Sequence, residues 1–84
     1  MKLTLKYNKR MADVFSHNVW DIYSVNSYGQ AEYLHHWVVE LSDKQFRLAH
    51  NAYGKTILSE PQPTKELALE YFFAQKIAER LERQ

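Results

Sequence analysis

The sequence predicts an α+β fold: an antiparallel β-meander of four to five strands with a C-terminal α-helix packed on one face, in two layers. Three observations carry this. Residues Tyr33 to His50 alternate apolar and polar side chains with period two, the pattern of a half-buried hairpin. The tetrapeptides Asn26-Ser27-Tyr28-Gly29 and Asn51-Ala52-Tyr53-Gly54 flank that hairpin and hold the only two glycines of the chain. Residues from Thr64 to about Arg83 are good helix formers with an apolar stripe.

The central hairpin sets the expected core. With Ser42-Asp43 as a two-residue loop, Leu41 faces Lys44, Val39 faces Phe46, Trp37 faces Leu48 and His35 faces His50. Tyr33, His35, Trp37, Val39 and Leu41 then share one face, and Leu34, His36, Val38 and Glu40 the other. The first face is expected under the helix, so that Trp37, Val39, Phe46, Leu48, Phe73, Ile77 and Leu81 pack together.

Taken in order, Lys2 to Tyr7 reads as an edge strand, with Leu3, Leu5 and Tyr7 on one face and Lys2, Thr4 and Lys6 on the other. Asn8 to Asn18 fits a short helix or a loop, with Met11, Val14 and Phe15 at helical spacing; Lys6, Lys9 and Arg10 form a small solvated basic cluster. Val19 to Val25 is a strand by its β-branched and aromatic content. Each Asn-x-Tyr-Gly tetrapeptide is expected to form a type I turn closing on a left-handed glycine. Lys55 to Ser59 is a short last strand, stopped by Pro61 and Pro63. Thr64 is the expected N-cap of the helix, with Glu66 in its first turn. Leu67, Tyr71, Phe73, Ala74, Ile77, Ala78 and Leu81 form its apolar stripe. Gln75, Lys76, Glu79, Arg80, Glu82 and Arg83 lie opposite, with Glu79 and Arg83 as an i,i+4 pair.

Composition narrows the function classes. The 84 residues read as a single domain over 1–84, one that buries roughly 60–65% of its unfolded surface. With 45% hydrophobic and 14% aromatic residues the chain is too apolar to be disordered. It has no cysteine, hence no disulfide and no thiolate metal site. A net charge of +1 argues neither for a nucleic-acid binder nor for an acidic DNA mimic. No apolar run is long enough to span a membrane, and the alternating N-terminus is unlike a signal peptide, so the expected location is cytoplasmic with no membrane partner.

The expected turns also align Asp21, His35, His50 and Thr56 in a row across four strands of one face. Two imidazoles and a carboxylate could hold a divalent metal or act as an oriented acid–base pair. The simpler reading is a structural polar row, with no metal, cofactor or catalytic residue, and the chain is expected not to be an enzyme. Two apolar surfaces remain. One is the sheet face away from the helix, with Trp20, Ile22 and Leu34 beside His36 and Val38. The other is the helix flank where Ala68, Leu69 and Phe72 depart from the stripe. The segment carrying Met11, Val14 and Phe15 is long enough to cover one of them. The turn residues Tyr28 and Tyr53 project from the same sheet end. The leading expectation is a small non-enzymatic interaction domain. It would bind a protein partner, or a second copy of itself, through Leu69 and Phe72, Trp20, Ile22 and Leu34, and Tyr28 and Tyr53. It would act as a stand-alone regulator or inhibitor of bacterial or phage type. A nucleic-acid-binding accessory domain using exposed sheet aromatics comes second, and a small metal-dependent enzyme built on Asp21, His35 and His50 third.

Overall fold

Five strands pair in chain order into one antiparallel sheet, and two helices flank it: β1 (Lys2–Tyr7), α1 (Lys9–Phe15), β2 (Asn18–Val25), β3 (Ala31–Glu40), β4 (Phe46–Ala52), β5 (Lys55–Leu58) and α2 (Lys65–Glu82). This computed structural model describes the backbone of residues 2–82 and the side chains of residues 2–74. The expected meander with a C-terminal helix is present, and the segment that read as helix or loop contains α1. The expected places of Ile77, Ala78 and Leu81 in the stripe, and the Glu79–Arg83 pair, lie outside the described side chains.

Local chemistry accounts for each boundary. Asn8 caps α1, its side-chain oxygen accepting the Met11 N–H at 3.1 Å, and Ser16 ends the helix in the left-handed region at φ 57°. Thr64 caps α2 by accepting the Leu67 N–H at 3.1 Å, and Glu66 lies in the first turn. Asn26 organises the β2–β3 turn, accepting the N–H groups of Tyr28 and Gln30 at 2.9 and 3.0 Å. Gly29, at φ 80°, takes the left-handed position that follows a type I turn. The pairs Val25–Ala31 and Tyr23–Tyr33 follow from that turn.

The second Asn-x-Tyr-Gly tetrapeptide folds differently. Ala52 pairs with Lys55 across Tyr53 and Gly54, whose φ values of 54° and 74° define a two-residue type I′ turn. The expected alignment of His50 with Thr56 therefore gives way to the pairs His50–Ile57 and Ala49–Leu58.

The central hairpin is displaced by one residue. Its loop is not Ser42-Asp43 but the three residues Ser42, Asp43 and Lys44. The Lys44 N–H donates to the Leu41 carbonyl at 3.0 Å, the Leu41 N–H to the Gln45 carbonyl at 3.1 Å, and Lys44 stands at φ 64°. This is a type I turn closed by a left-handed residue, the geometry of the Asn26–Gln30 turn with lysine in the glycine position. Asp43 stabilises it. Its carboxylate accepts the Gln45 N–H at 2.9 Å and pairs with Arg47 at 2.8 Å. The Arg47 hydrogen bond, with help from Gln45, holds that carboxyl below the ordinary aspartate value. The resulting pairs are Val39–Arg47, Val38–Leu48, Trp37–Ala49 and His36–His50.

Because side chains alternate with period two, this one-residue slip turns β3 over relative to β4. The face expected to be open is the face that α2 covers. Ile22, Val38 and Leu48 are buried against Ala68 and Phe72, with Leu3, Leu5, Trp20, Leu34, Phe46, Leu69 and Tyr71 packed around them. Trp37 and Val39, expected beneath α2, lie on the opposite face in a second cluster with Val19, Ala49, Met11 and Leu41. The expected core thus divides: Phe46 and Leu48 belong to one side of the sheet, Trp37 and Val39 to the other. The stripe of α2 is corrected too. Ala68 and Phe72 are the buried positions, and Leu67 and Phe73 are 39% and 41% exposed.

Phe72→Ala should therefore cost roughly 3–5 kcal/mol, and Phe73→Ala well under half of that, measured by urea denaturation of the two variants. Equal losses would place the stripe where the apolar periodicity alone puts it. Lys44→Gly should raise stability by about 1 kcal/mol, because glycine occupies the left-handed region without the steric cost that a Cβ carries. An unchanged or lowered midpoint would contradict the turn.

Candidate functional site

Turning the hairpin over moves the open surface to the sheet face away from α2. α1 is too short to cover that face. Its Ala12 is buried and Met11 packs on the Val19–Val39–Ala49 cluster, so it closes the centre of the face. Asn8 holds α1 in place: its N–H donates to the Val19 carbonyl at 2.8 Å and its side-chain amide to Asp21 at 2.9 Å. Val14 and Phe15, expected as parts of a lid, are 67% and 48% exposed.

Beyond the end of α1 the face drops into an apolar cleft of about 250 Å³. Its floor is Trp37, Val39 and Leu41; Phe15 and His17 form one wall, and Thr56 and Leu58 of β5 the other. The geometry follows from three local facts. Ser16, in the left-handed region, ends α1 beside the cleft. The pairing Trp37–Ala49–Leu58 sets the small Ala49 between two large side chains on adjacent strands. The short type I′ turn brings β5 back alongside β4.

A second group lies nearer the other end of the face. Tyr23 and Tyr33 pair across β2 and β3 with ring centroids 5.5 Å apart, and Tyr33 lies 4.8 Å from the His35 ring. Burial raises the Tyr33 hydroxyl above the ordinary tyrosine value, and the charge of Asp21 and the neighbouring Tyr23 add to the shift. His35 stands at φ 58° in a bulge where β3 carries two extra residues: Tyr23 pairs with Tyr33, but Asp21 pairs with Trp37.

The bulge and the two changed turns dissolve the expected polar row. Asp21 lies beside Asn8 and opposite Trp37. His35 is in the bulge. His50 is on the α2 side, where its ring stacks on His36 at 4.9 Å and His36 meets Phe72 at 4.8 Å. His36 Nδ1 donates to the Leu34 carbonyl at 2.9 Å. Thr56 pairs with Asn51 and donates its hydroxyl to that side chain at 3.0 Å. Among the described residues no three His, Asp, Glu or Cys side chains converge as a metal site would require.

The residues expected to bind a partner fall into two groups. Phe72 and Ile22 are core, at 1% and 0% exposure, and cannot form a surface. Leu34, Leu69 and Trp20 pack against that core. Trp20 sits between the rings of Tyr7 and Phe46, with the Lys65 ammonium 4.9 Å from its own ring. Tyr28 and Tyr53 are 87% and 100% exposed at their turns. The reading from sequence missed Phe15, Trp37 and Leu58. Two signals pointed to them: Trp37, Val38 and Val39 are apolar on both faces of β3, and Ser-Asp lacks the glycine that a two-residue hairpin loop favours.

No protein-family model, curated protein or solved structure matches this chain. Among the described residues no helix is long and apolar enough to cross a membrane.

Proposed function

We propose that this chain is a non-enzymatic interaction domain that takes an apolar segment of a protein partner in the cleft between α1 and β5. The observation behind this reading is the cleft itself, a concavity of about 250 Å³ with Trp37 on its floor and the half-exposed Phe15 and Leu58 on its walls. Tryptophan flanked by aliphatic and aromatic side chains is the composition of interface hot spots. The concavity offers a place for one or two anchoring side chains. His17 and Thr56 at its margin supply polar groups that can orient a backbone. The chain would then act by occupancy, as a regulator or inhibitor does. Panning a random peptide library on the purified protein should enrich peptides with aliphatic or aromatic anchors, and Phe15→Glu should abolish their binding while the circular dichroism spectrum stays unchanged. Selected peptides that bind the Phe15→Glu protein equally well would remove the cleft from consideration.

One observation favours a second reading, the binding of single-stranded nucleic acid. The displaced hairpin takes Glu32 and Glu40 off the open face, and the pairings of β1 put Lys2, Thr4 and Lys6 on it beside Tyr23 and Tyr33. Lysines beside aromatic rings on a sheet are the elements of a stacking platform. Fluorescence anisotropy with a labelled oligonucleotide should then show affinity that falls steeply with salt and is lost in Lys2→Ala/Lys6→Ala. Binding that ignores both salt and the two lysines would exclude it.

A further inference from the structure

The sheet has two edges, and they differ in chemistry. β1 carries Lys2 and Lys6, both exposed, the usual guard against pairing with another chain. β5 instead presents Ile57 and Leu58 at 43% and 45% exposure.

The free backbone groups of β5 can be identified. The Ser59 N–H donates to the Leu48 carbonyl at 2.8 Å, and Lys55 closes the two-residue turn opposite Ala52. In an antiparallel ladder every second residue bonds inward, so Lys55, Ile57 and Ser59 face β4, and Thr56 and Leu58 direct their N–H and C=O groups outward. The stretch is bounded at both ends. The type I′ turn ends it at Gly54, and Pro61, which has no N–H, ends it on the other side. Lys55 stands at one end of the stretch and Glu60 at the other, both exposed.

We propose that β5 pairs antiparallel with β5 of a second copy of this chain across a two-fold axis at Ile57, giving a homodimer with a continuous ten-stranded sheet. Only this register matches both outward-facing residues of each copy. Thr56 pairs with Leu58 of the second copy, Leu58 with its Thr56, and the two Ile57 side chains meet on the axis. On the α2 side the two isoleucines adjoin the hollow below Tyr71. On the opposite side Leu58 and Thr56 of each copy meet those of the other, and the two clefts become one surface. The pairing stands whether or not the cleft takes a partner.

Sedimentation velocity of the full chain from about 1 µM to about 1 mM should show a reversible monomer–dimer equilibrium. Over the same range the Thr56 and Leu58 amides should gain protection from hydrogen exchange as the dimer forms. Ile57→Lys, which places two like charges on the axis at an exposed site, should weaken association by about tenfold or more. A chain that stays monomeric throughout would overturn the proposal. So would a dimer indifferent to Ile57→Lys, or one in which the Thr56 and Leu58 amides gain no protection.

Discussion

The three-residue loop after β3 is the constraint on which the rest of the structure depends. Lys44 in the left-handed region lets Leu41 and Gln45 close a type I turn with one residue more than the shortest hairpin would have. That residue decides the parity of β4 against β3, and parity decides which side chains share a face. Val38 then stands beside Leu48 and Ile22 on one side, and Val39 beside Val19 on the other, close to Ala49. The local cost of a left-handed lysine, about 1–2 kcal/mol, is small against the burial of two apolar clusters. The Asp43 carboxylate, bonded to Gln45 and Arg47, offsets part of it.

A second irregularity keeps the faces consistent across β2. The bulge at His35 adds two residues to β3, an even number, so Tyr33 before it and Trp37 after it stay on the same face. A single extra residue there would have sent Tyr33 and Trp37 to opposite sides and removed Leu34 or Val38 from the α2 core. The even count preserves the face but changes the neighbours: Asp21 meets Trp37 instead of His35.

Most of the elements were legible in the sequence, and the register was not. Strand alternation, the Asn26–Gly29 turn, the Thr64 cap and the two prolines after β5 are local signals, each carried by residues whose backbone preference is strong. The register rests on Lys44, His35 and Tyr53, all left-handed and none a glycine. No propensity marks them, because their conformations are imposed by the packing of strands that are distant in sequence. β3 is also ambiguous in itself. Leu34, Val38 and Val39 are apolar at positions of both parities, so either face of the strand can be read as the core. The same ambiguity affects α2, where Leu67, Leu69, Phe72 and Phe73 leave its first half apolar nearly all round. The sheet, not the helix, selects Ala68 and Phe72. The candidate site depended on register at every step, so the polar row of Asp21, His35 and His50 vanished and the cleft of Phe15, Trp37 and Leu58 took its place.

A sheet with apolar clusters on both faces requires cover on both, and this chain supplies it unequally. α2 is long enough to lie across β2, β3 and β4. α1 has seven residues and covers little more than Val19 and its neighbours. The uncovered remainder is not spread evenly. β2 and β3 fill their part of the open face with the Tyr23–Tyr33 pair, whose rings cover one another, and β1 fills its part with lysine stems. At β5 neither device is present. Its four residues are all exposed, Thr56 and Leu58 flank the cleft, and its outer backbone groups lack a neighbouring strand. The unequal length of the two helices thus concentrates the surface available for recognition at one edge of the sheet, where side chains of the cleft and backbone of the edge belong to the same two residues, Thr56 and Leu58.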